Sequence, residues 1–317
     1  MRLSSPSVNV DCIDTASPRP RAGGFVQIGA FAKINLVLEV LEKRPDGYHN
    51  LRSVMQTLAL QDTLTIVLEP AQEVKFCLTC SDPNLPTDGR NLVTRAAKYM
   101  IQKYGINHPI RIHLEKRIPT AAGLAGGSSD CAATLKGFNT LFNLDIALHS
   151  DSKPSLMEIG QRFGADVPFC LLGGTALAEG IGEKLTPLLP HPHCWVVLAC
   201  PGIHVSTARV FSGVKLDMIR TNNTCTMLQA INNSDLQQIA TGFSNDLTQV
   251  TAKIYPEIQY LINEMKNHGA MGTAMSGSGP SVFGYFNNKE SAEKAREKLE
   301  YIAGRAFLTE IVNRGGA

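Results

Sequence analysis

Residues 119–130 read PTAAGLAGGSSD, and the fold turns on how this stretch is understood. Gly123, Gly126 and Gly127 permit positive φ and let a ligand come close to the backbone. Ser128 and Ser129 follow as the expected caps of a helix that continues through CAATLKGFNTLFNL. The N–H groups at a helix start have no intrahelical partner, and the helix dipole adds partial positive charge there. Loop and helix together predict an anion site suited to a polyphosphate. The pattern is neither G-x-x-x-x-G-K-[ST], because no lysine follows, nor G-x-G-x-x-G. Taken alone, it also reads as a tight strand-to-helix turn with a serine cap. A second cluster, SGSGPS at Ser276–Ser281, alone would be a hairpin turn; two such clusters in one chain suggest that both face one phosphate.

Upstream of the loop, IRIHLEK reads as a strand, and Asn91 precedes LVTRAAKYMIQKYG, whose apolar spacing is helical up to a stop at Gly105. Nearer the N-terminus, FVQIGAFAKINLVLEVLEK begins at Phe25 and alternates well from Lys33 to Val40. The turn-rich RPDGYHN follows, then strand-like runs at LRSVMQTLAL, TLTIVLE and VKFCLT. Downstream, SLMEIGQRFG is a short helix ending at Gly164, VPFCLLGG and TALAEG read as a strand pair, and TPLLPHPH near 186–193 reads as a linker. The second half begins with a strand, WVVLACPG, and a helix over STARVFSGV, with helical stretches from 224 to 267. AMGTAMSGSGPSVFGYF then reads as strand, glycine turn, strand, followed by the helix KESAEKAREKLEYIAG and the strand AFLTEIV. That order predicts a small antiparallel α+β sandwich.

The bulk numbers fit such a chain. It has 317 residues, 44% hydrophobic and 18% charged, enough for two medium domains with real cores. A net charge of +2 predicts no broad basic face, which argues against nucleic acid as a partner. No apolar run approaches the roughly 20 residues that span a bilayer, so no membrane role is expected. Residues 1–24 hold Ser, Pro, Arg and Gly without an apolar h-region and read as a disordered extension rather than a signal. The eight cysteines lie mostly inside apolar runs, which fits reduced thiols and a cytoplasmic location. Cys77 and Cys80 form a C-x-x-C pair, but on a strand they would point to opposite faces, and no second pair completes a zinc site.

PTAAGLAGGSSD, together with SGSGPS and AKIN near the N-terminus, resembles the three-motif set of the GHMP kinases, the galacto-, homoserine, mevalonate and phosphomevalonate kinases and their relatives. RPDGYHNL combined with GADVPF narrows the resemblance to the branch whose substrate carries a cytidine diphosphate group. The resemblance spans about residues 28–312. It implies two domains: an N-terminal ATP-binding domain like the second domain of ribosomal protein S5, at 25–190, and a ferredoxin-like C-terminal α/β sandwich, at 191–317. It implies an α+β kinase that passes the terminal phosphate of ATP to the 2-hydroxyl of 4-diphosphocytidyl-2-C-methyl-D-erythritol, with Mg2+ bridging the phosphates, on the non-mevalonate isoprenoid route. A monomer or weak homodimer is expected.

The same resemblance assigns residues. Asp166 in GADVPF becomes the catalytic base, although an isolated Asp there would more often cap a turn. Lys33 lies beside it, keeping the carboxyl ionised and favouring an alkoxide-like transition state; on its own a mid-strand lysine usually faces solvent. Asn35, two residues on and on the same strand face, could bond a substrate hydroxyl. Tyr48 stacks on the cytosine, the His49 backbone bonds the polar edge of the base, and Phe211 supplies the second stacking ring. ATP is held by Pro119, Thr120, Ala121, Ala122, Gly123, Leu124, Ala125, Gly126, Gly127, Ser128 and Ser129, with Asn91 and Lys116 near adenine. Taken alone, Asn91 is a helix cap and Lys116 a solvated strand end. Gly277, Ser278 and Gly279 complete the substrate site, and Ser129 is the candidate protein ligand for magnesium. Ala125 stands where some relatives have glycine, an extra methyl that narrows the loop slightly without blocking phosphate. The alternatives are another GHMP small-molecule kinase, of homoserine or mevalonate type, and a non-catalytic nucleotide sensor on the same fold. RPDGYHN argues against the first, and the presence of both Lys33 and Asp166 against the second.

Overall fold

A computed structural model describes residues 20–21, 24–70, 76–150, 154–214 and 223–313. Of the 1–24 extension only Pro20, Arg21 and Gly24 fall among them, so its expected disorder lies almost wholly outside the described residues.

The first sheet is built on two long strands, β1 (Phe25–Lys43) and β2 (His49–Leu68), paired antiparallel through the PDG turn. The two strand-like runs read between His49 and Leu68 are one continuous strand. Its far edge is shared: residues 63–68 pair with β4 (Ile110–Glu115), and residues 51–56 pair with β5 (Thr175–Gly180). β3 (Phe76–Cys80) lies parallel to β4, and β6 (Lys184–Pro187) closes the β5 side. Helices α1 (Leu92–Lys103) and α2 (Gly126–Leu141) pack together, and α2 lies on β1 and β2. At Gly137 an added Cβ would sit 2.5 Å from Ile66 Cδ1, so a larger residue would have to displace the Ile66 side chain packed between α2 and β2.

The second sheet has the order β11-β7-β10-β9, every neighbour antiparallel, as the sandwich reading required. Its strands are β7 (Trp195–Ala199), β9 (Gly272–Met275), β10 (Val282–Phe286) and β11 (Ala306–Glu310). Between and after them lie α5 (Thr207–Ser212), α6 (Asn223–Asn232), α7 (Leu236–Thr241), α8 (Thr248–Ile254), α9 (Glu257–Asn267) and α10 (Lys289–Ala303). Both faces of this sheet are buried, and strand alternation sorts the side chains. Val197, Ala199, Val282 and Met275 pack with α9 and α10, whose Leu261, Met265, Ala295 and Leu299 supply the facing stripe. Val196, Leu198, Phe283 and Tyr285 pack the other way, against Ala32, Ile34 and Leu36 of β1 and against α6 and α7. The second core therefore rests directly on the strand that carries Lys33 and Asn35. A two-residue strand, β8 (Ser244–Asn245), also crosses over and pairs parallel with Val37 and Leu38 of β1.

Three local readings are corrected. VPFCLLGG is not a strand: Val167–Leu172 form the helix α4, behind the short helix α3 (Leu156–Gln161). A short apolar run carries no period of its own, and Pro168 in the first turn presets a helical φ. The helix then buries Val167, Phe169 and Leu171 against α2 and α3. Neither Ser128 nor Ser129 caps α2. The cap position is Ala125, in the left-handed conformation at φ 57, and both serines lie inside the first turn. Last, the 186–193 segment is no loose spacer: Thr186 and Pro187 end β6, and His191 is buried with its ring between Tyr285 Oη and the Pro192 carbonyl.

Among the described residues no helix is long and apolar enough to cross a membrane. The seven described cysteines are free thiols; Cys77 is exposed and Cys80 half-buried on opposite faces of β3.

Candidate active site

Three register shifts interrupt the pairing of β1 with β2, and the first two lie between Phe31 and Lys33 and between Asn35 and Val37. Bulges re-aim side chains, and these two shifts bracket the segment that carries the polar groups. Ile34 and Leu36 enter the second core, so Lys33 and Asn35 take the opposite face, where both are buried. Lys33 Nζ donates to Asn35 Oδ1 at 2.8 Å and stands 3.8 Å from Asp166 Oδ2. Asp166 occupies the cap position of α4 yet makes no capping hydrogen bond, and its side chain is 35% exposed. Its carboxylate is thus free for chemistry, and the nearest cation is the Lys33 ammonium.

The glycine loop is tied to the same strand. Lys33 N donates to Leu124 O, and Ser129 Oγ donates 2.7 Å to Phe31 O. The first helical bond of α2 runs from Ser129 N to Ala125 O. The amides of Gly126, Gly127 and Ser128 therefore precede it, as an anion nest requires. Ala125 keeps a positive φ that costs an L-residue roughly 1–2 kcal/mol. The departure from glycine thus shows itself as backbone strain. The second glycine cluster closes on the first: Ser276 Oγ donates to Gly123 O, and Gly277 N donates to Asn35 Oδ1.

These groups line one cavity of about 990 Å³ between the two sheets. Its wall includes Lys33, Asn35, Tyr48, His49, Gly123, Ala125, Ser128, Asp166, Phe211 and Gly277–Gly279. At the far end the rings of His49 and Phe211 lie 5.5 Å apart, tilted by 31°, and Tyr48 is exposed beside them. Burial, reinforced by the charge of Lys43, pulls the His49 pKa down, so its ring is neutral near pH 7. Asp46 accepts from the Tyr48 amide and pairs with Arg44, which shapes the turn that displays Tyr48. Residues not singled out in the sequence also join the wall, among them His204, Ser206 and Thr207. The only signal for them was their position just ahead of Phe211.

Other expected residues lie elsewhere. Pro119, Thr120, Ala121 and Ala122 border a second, smaller hollow of about 280 Å³, which shares Ala121 and His204 with the first. Asn91 uses its side chain at the start of α1, accepting from Val93 N and donating to Pro86 O. Lys116 is not a solvated strand end: its ammonium is buried between Asp62 and Asp130, 2.8 Å from Asp130 Oδ2, directly beneath Gly126. The two carboxylates supply the pairing that lets a charge just past the end of β4 be buried. The Ser129 hydroxyl is buried and donates to Phe31 O.

The buried cluster has a pH signature. Asp62 takes the Lys116 ammonium and the amides of Arg117 and Ile118, whereas Asp130 Oδ1 has no partner. Burial, outweighing Lys116 and helped by Asp62, raises the Asp130 pKa from 3.8 to about 7. A carboxyl raised on folding stabilises fully below its unfolded pKa, and that contribution is lost as pH climbs through the folded one. Between about pH 4 and pH 7 Asp130 therefore costs the fold a growing amount. In Asp130→Asn the melting temperature should gain on wild type across that window and stay level above it. Parallel curves for the two proteins would contradict the assignment.

Residues 91–174 match the GHMP kinases N terminal domain, and 227–304 match the GHMP kinases C terminal domain. The 4-diphosphocytidyl-2-C-methyl-D-erythritol kinase of Caldicellulosiruptor bescii is 44% identical over 92% of this chain and 100% of its own length. The enzyme of that name from Bacillus subtilis is 40% identical over 90% of this chain and 96% of its own. A crystal structure of a 4-(cytidine 5'-diphospho)-2C-methyl-D-erythritol kinase superposes with a TM-score of 0.77 at 32% identity, over 90% of this chain and 99% of that one. A homoserine kinase from Cytophaga hutchinsonii, at 18% identity and a TM-score of 0.71, shares the fold. The chain has the two-domain GHMP kinase fold and belongs to the 4-diphosphocytidyl-2-C-methyl-D-erythritol kinase family.

Proposed function

We propose that this protein transfers the γ-phosphate of ATP to the 2-hydroxyl of 4-diphosphocytidyl-2-C-methyl-D-erythritol, giving the 2-phosphate and ADP. One observation carries the reading. The 3.8 Å Lys33–Asp166 pair lies in the wall of a cavity whose adjoining wall is the glycine loop at the α2 N-terminus. Amine and loop are linked by hydrogen bonds through β1, and the acid stands 3.8 Å from the amine.

The roles follow. Asp166 accepts the hydroxyl proton as the oxygen bonds to phosphorus; a free carboxyl is a weak base, with a pKa near ~3.9, but here it acts on a hydroxyl already committed to bond formation. Lys33 offsets the charge that develops on the oxygen. Asn35 orients Lys33. The amides around Gly126 receive the phosphates, with Asn91 and the stem of Lys116 flanking the adenine end. Alignment of hydroxyl, phosphate and base can supply about 7–11 kcal/mol, so the rigid tie between loop and strand is the main catalytic resource. Mg2+, when bound, would supply charge neutralisation to the transferring phosphate. The described residues hold no cluster of three His, Cys, Asp or Glu side chains for a protein-caged metal. Ser129 and the cavity-lining Ser128 would each offer such an ion a hydroxyl oxygen, with phosphate and water as its other ligands. We also propose the boundary between the domains at residues 190 and 191, a cytoplasmic location, and a monomer or weak homodimer.

Phe211, Tyr48 and the His49 backbone receive the cytosine. Stacking is worth roughly 1–3 kcal/mol per base, so Phe211→Ala should raise KM for the cytidine substrate by about 5- to 150-fold and leave KM for ATP nearly unchanged. Equal changes in both constants would remove Phe211 from the base site. The reaction itself is tested by incubating the protein with ATP, magnesium and diphosphocytidyl-methylerythritol, and separately with homoserine or mevalonate. Phosphorus NMR should show a new phosphomonoester with the first substrate alone. ATP binding without any new resonance would favour a sensor instead.

A further inference from the structure

Asn245 contributes nothing to the cavity wall, yet it touches the backbone that does. It is buried, and β8 sets it beside β1, the strand that carries Lys33 and Asn35. Its Oδ1 accepts from Leu247 N at 2.9 Å, which fixes the direction of the amide. Its Nδ2 then donates to two carbonyls of the second glycine turn, Met275 O at 2.7 Å and Gly277 O at 2.8 Å. The Gly277 amide in turn donates to Asn35 Oδ1 at 3.0 Å, the same oxygen that accepts from Lys33 Nζ at 2.8 Å. Asn35 Nδ2 is committed to Ser53 Oγ, so the Asn35 amide cannot flip.

We propose that Asn245 is a positioning residue for Lys33, acting through Gly277 and Asn35. The distances say why such a residue is needed. At 3.8 Å, the contact of Lys33 with Asp166 is too long to be a hydrogen bond that fixes the ammonium. Its place is set by the 2.8 Å bond to Asn35, whose oxygen is itself pinned by the Gly277 amide. Asn245 holds Gly277 from the other side. Remove it, and the Met275 and Gly277 carbonyls lose their side-chain donor, while the turn 276–279 keeps its own backbone bonds, the Gly277 amide on Asn35, Thr251 Oγ1 on Ser278 O and two outer serine contacts. The amine and the turn come from different halves of the chain, so this relay makes the lysine's position depend on the C-terminal domain being seated.

The proposal rests on Lys33 and Asp166 being the catalytic pair, and a double-mutant cycle separates the two claims. Asn245→Ala should lower kcat about tenfold, with both KM values within about threefold, because neither ligand touches Asn245. Asn35→Ala should lower kcat by at least as much. The double variant should be no slower than Asn35→Ala alone, since the relay is already cut. Factors that multiply, or an unchanged kcat in Asn245→Ala, overturn the proposal. If Asn245→Ala does not fold, Asn245→Asp keeps the shape and tests the donors. Its carboxyl faces two carbonyls, which raises its pKa, and only the protonated form can donate. Its kcat relative to wild type should therefore recover as pH falls from about 8 to about 6, and a flat ratio overturns the proposal. Should Lys33→Ala and Asp166→Asn both keep wild-type kcat, the underlying reading fails instead, whatever the cycle gives.

Discussion

Asp166→Asn is expected to lower kcat by about 10²- to 10⁴-fold, the usual worth of a positioned proton acceptor. Asparagine has the same shape, and the wild-type side chain makes no capping hydrogen bond that the change could break. The fold and the cavity should therefore survive, and the melting temperature should move little. Lys33 keeps its 2.8 Å bond to Asn35, so the amine stays in place while its anionic partner disappears. The amides at the start of α2 are untouched, and nucleotide affinity should stay within about twofold of wild type. Asp166→Ala should likewise abolish turnover with affinity nearly intact. Steady-state ADP release and a binding titration with a non-hydrolysable ATP analogue measure the two quantities. A variant that retains most of its activity would remove Asp166 from the mechanism.

The second large effect concerns the meeting of the two glycine turns. In Gly123→Ala the new Cβ would lie 2.2 Å from Ser276 O and 3.0 Å from Gly279 O, both backbone atoms that cannot rotate away. The residue also sits at φ +76, where a side chain costs roughly 1–2 kcal/mol. Overpacking adds roughly 1–3 kcal/mol. A loss of about 2–5 kcal/mol is expected in urea unfolding, a large share of a typical domain's stability. Gly127→Ala is the control. Its Cβ would meet only Leu92 Cδ1, at 3.9 Å, and the residue is helical. It should unfold no more readily than wild type, and a gain of about 0.5–1 kcal/mol is the normal return for Ala over Gly in a helix. Equal stability of the two variants would mean that the turns do not meet as described.

Much of this site could be read from the residues. Lys33 and Asn35 share a strand face because side chains alternate, and the strand reading from Phe25 to Lys43 coincides with β1. The glycine loop before α2 and the hairpin at 276–279 were visible for the same reason: glycine clusters mark where backbone must turn or be approached. What escaped is what depends on distant partners. GADVPFCLL carries no period, so α4 was taken for a strand, and its helix is decided by packing on α2 and α3. The cap of α2 was assigned to a serine by preference, while the loop's contacts with β1 hold Ala125 in a strained conformation instead. Lys116 looked solvated because Asp62 and Asp130 lie 54 and 14 residues away in sequence. Asn245 carried no signal, since its role rests on a two-residue bridge to β1.

The arrangement of loop, amine and acid around one triphosphate is tested most directly by a crystal structure with a non-hydrolysable ATP analogue and magnesium. Phosphate oxygens should lie about 2.7–3.2 Å from the amides of Gly126, Gly127 and Ser128, with the terminal phosphate directed toward Lys33 and Asp166. A triphosphate bound away from those amides, with the acid and amine out of reach of its terminal phosphorus, would contradict the account.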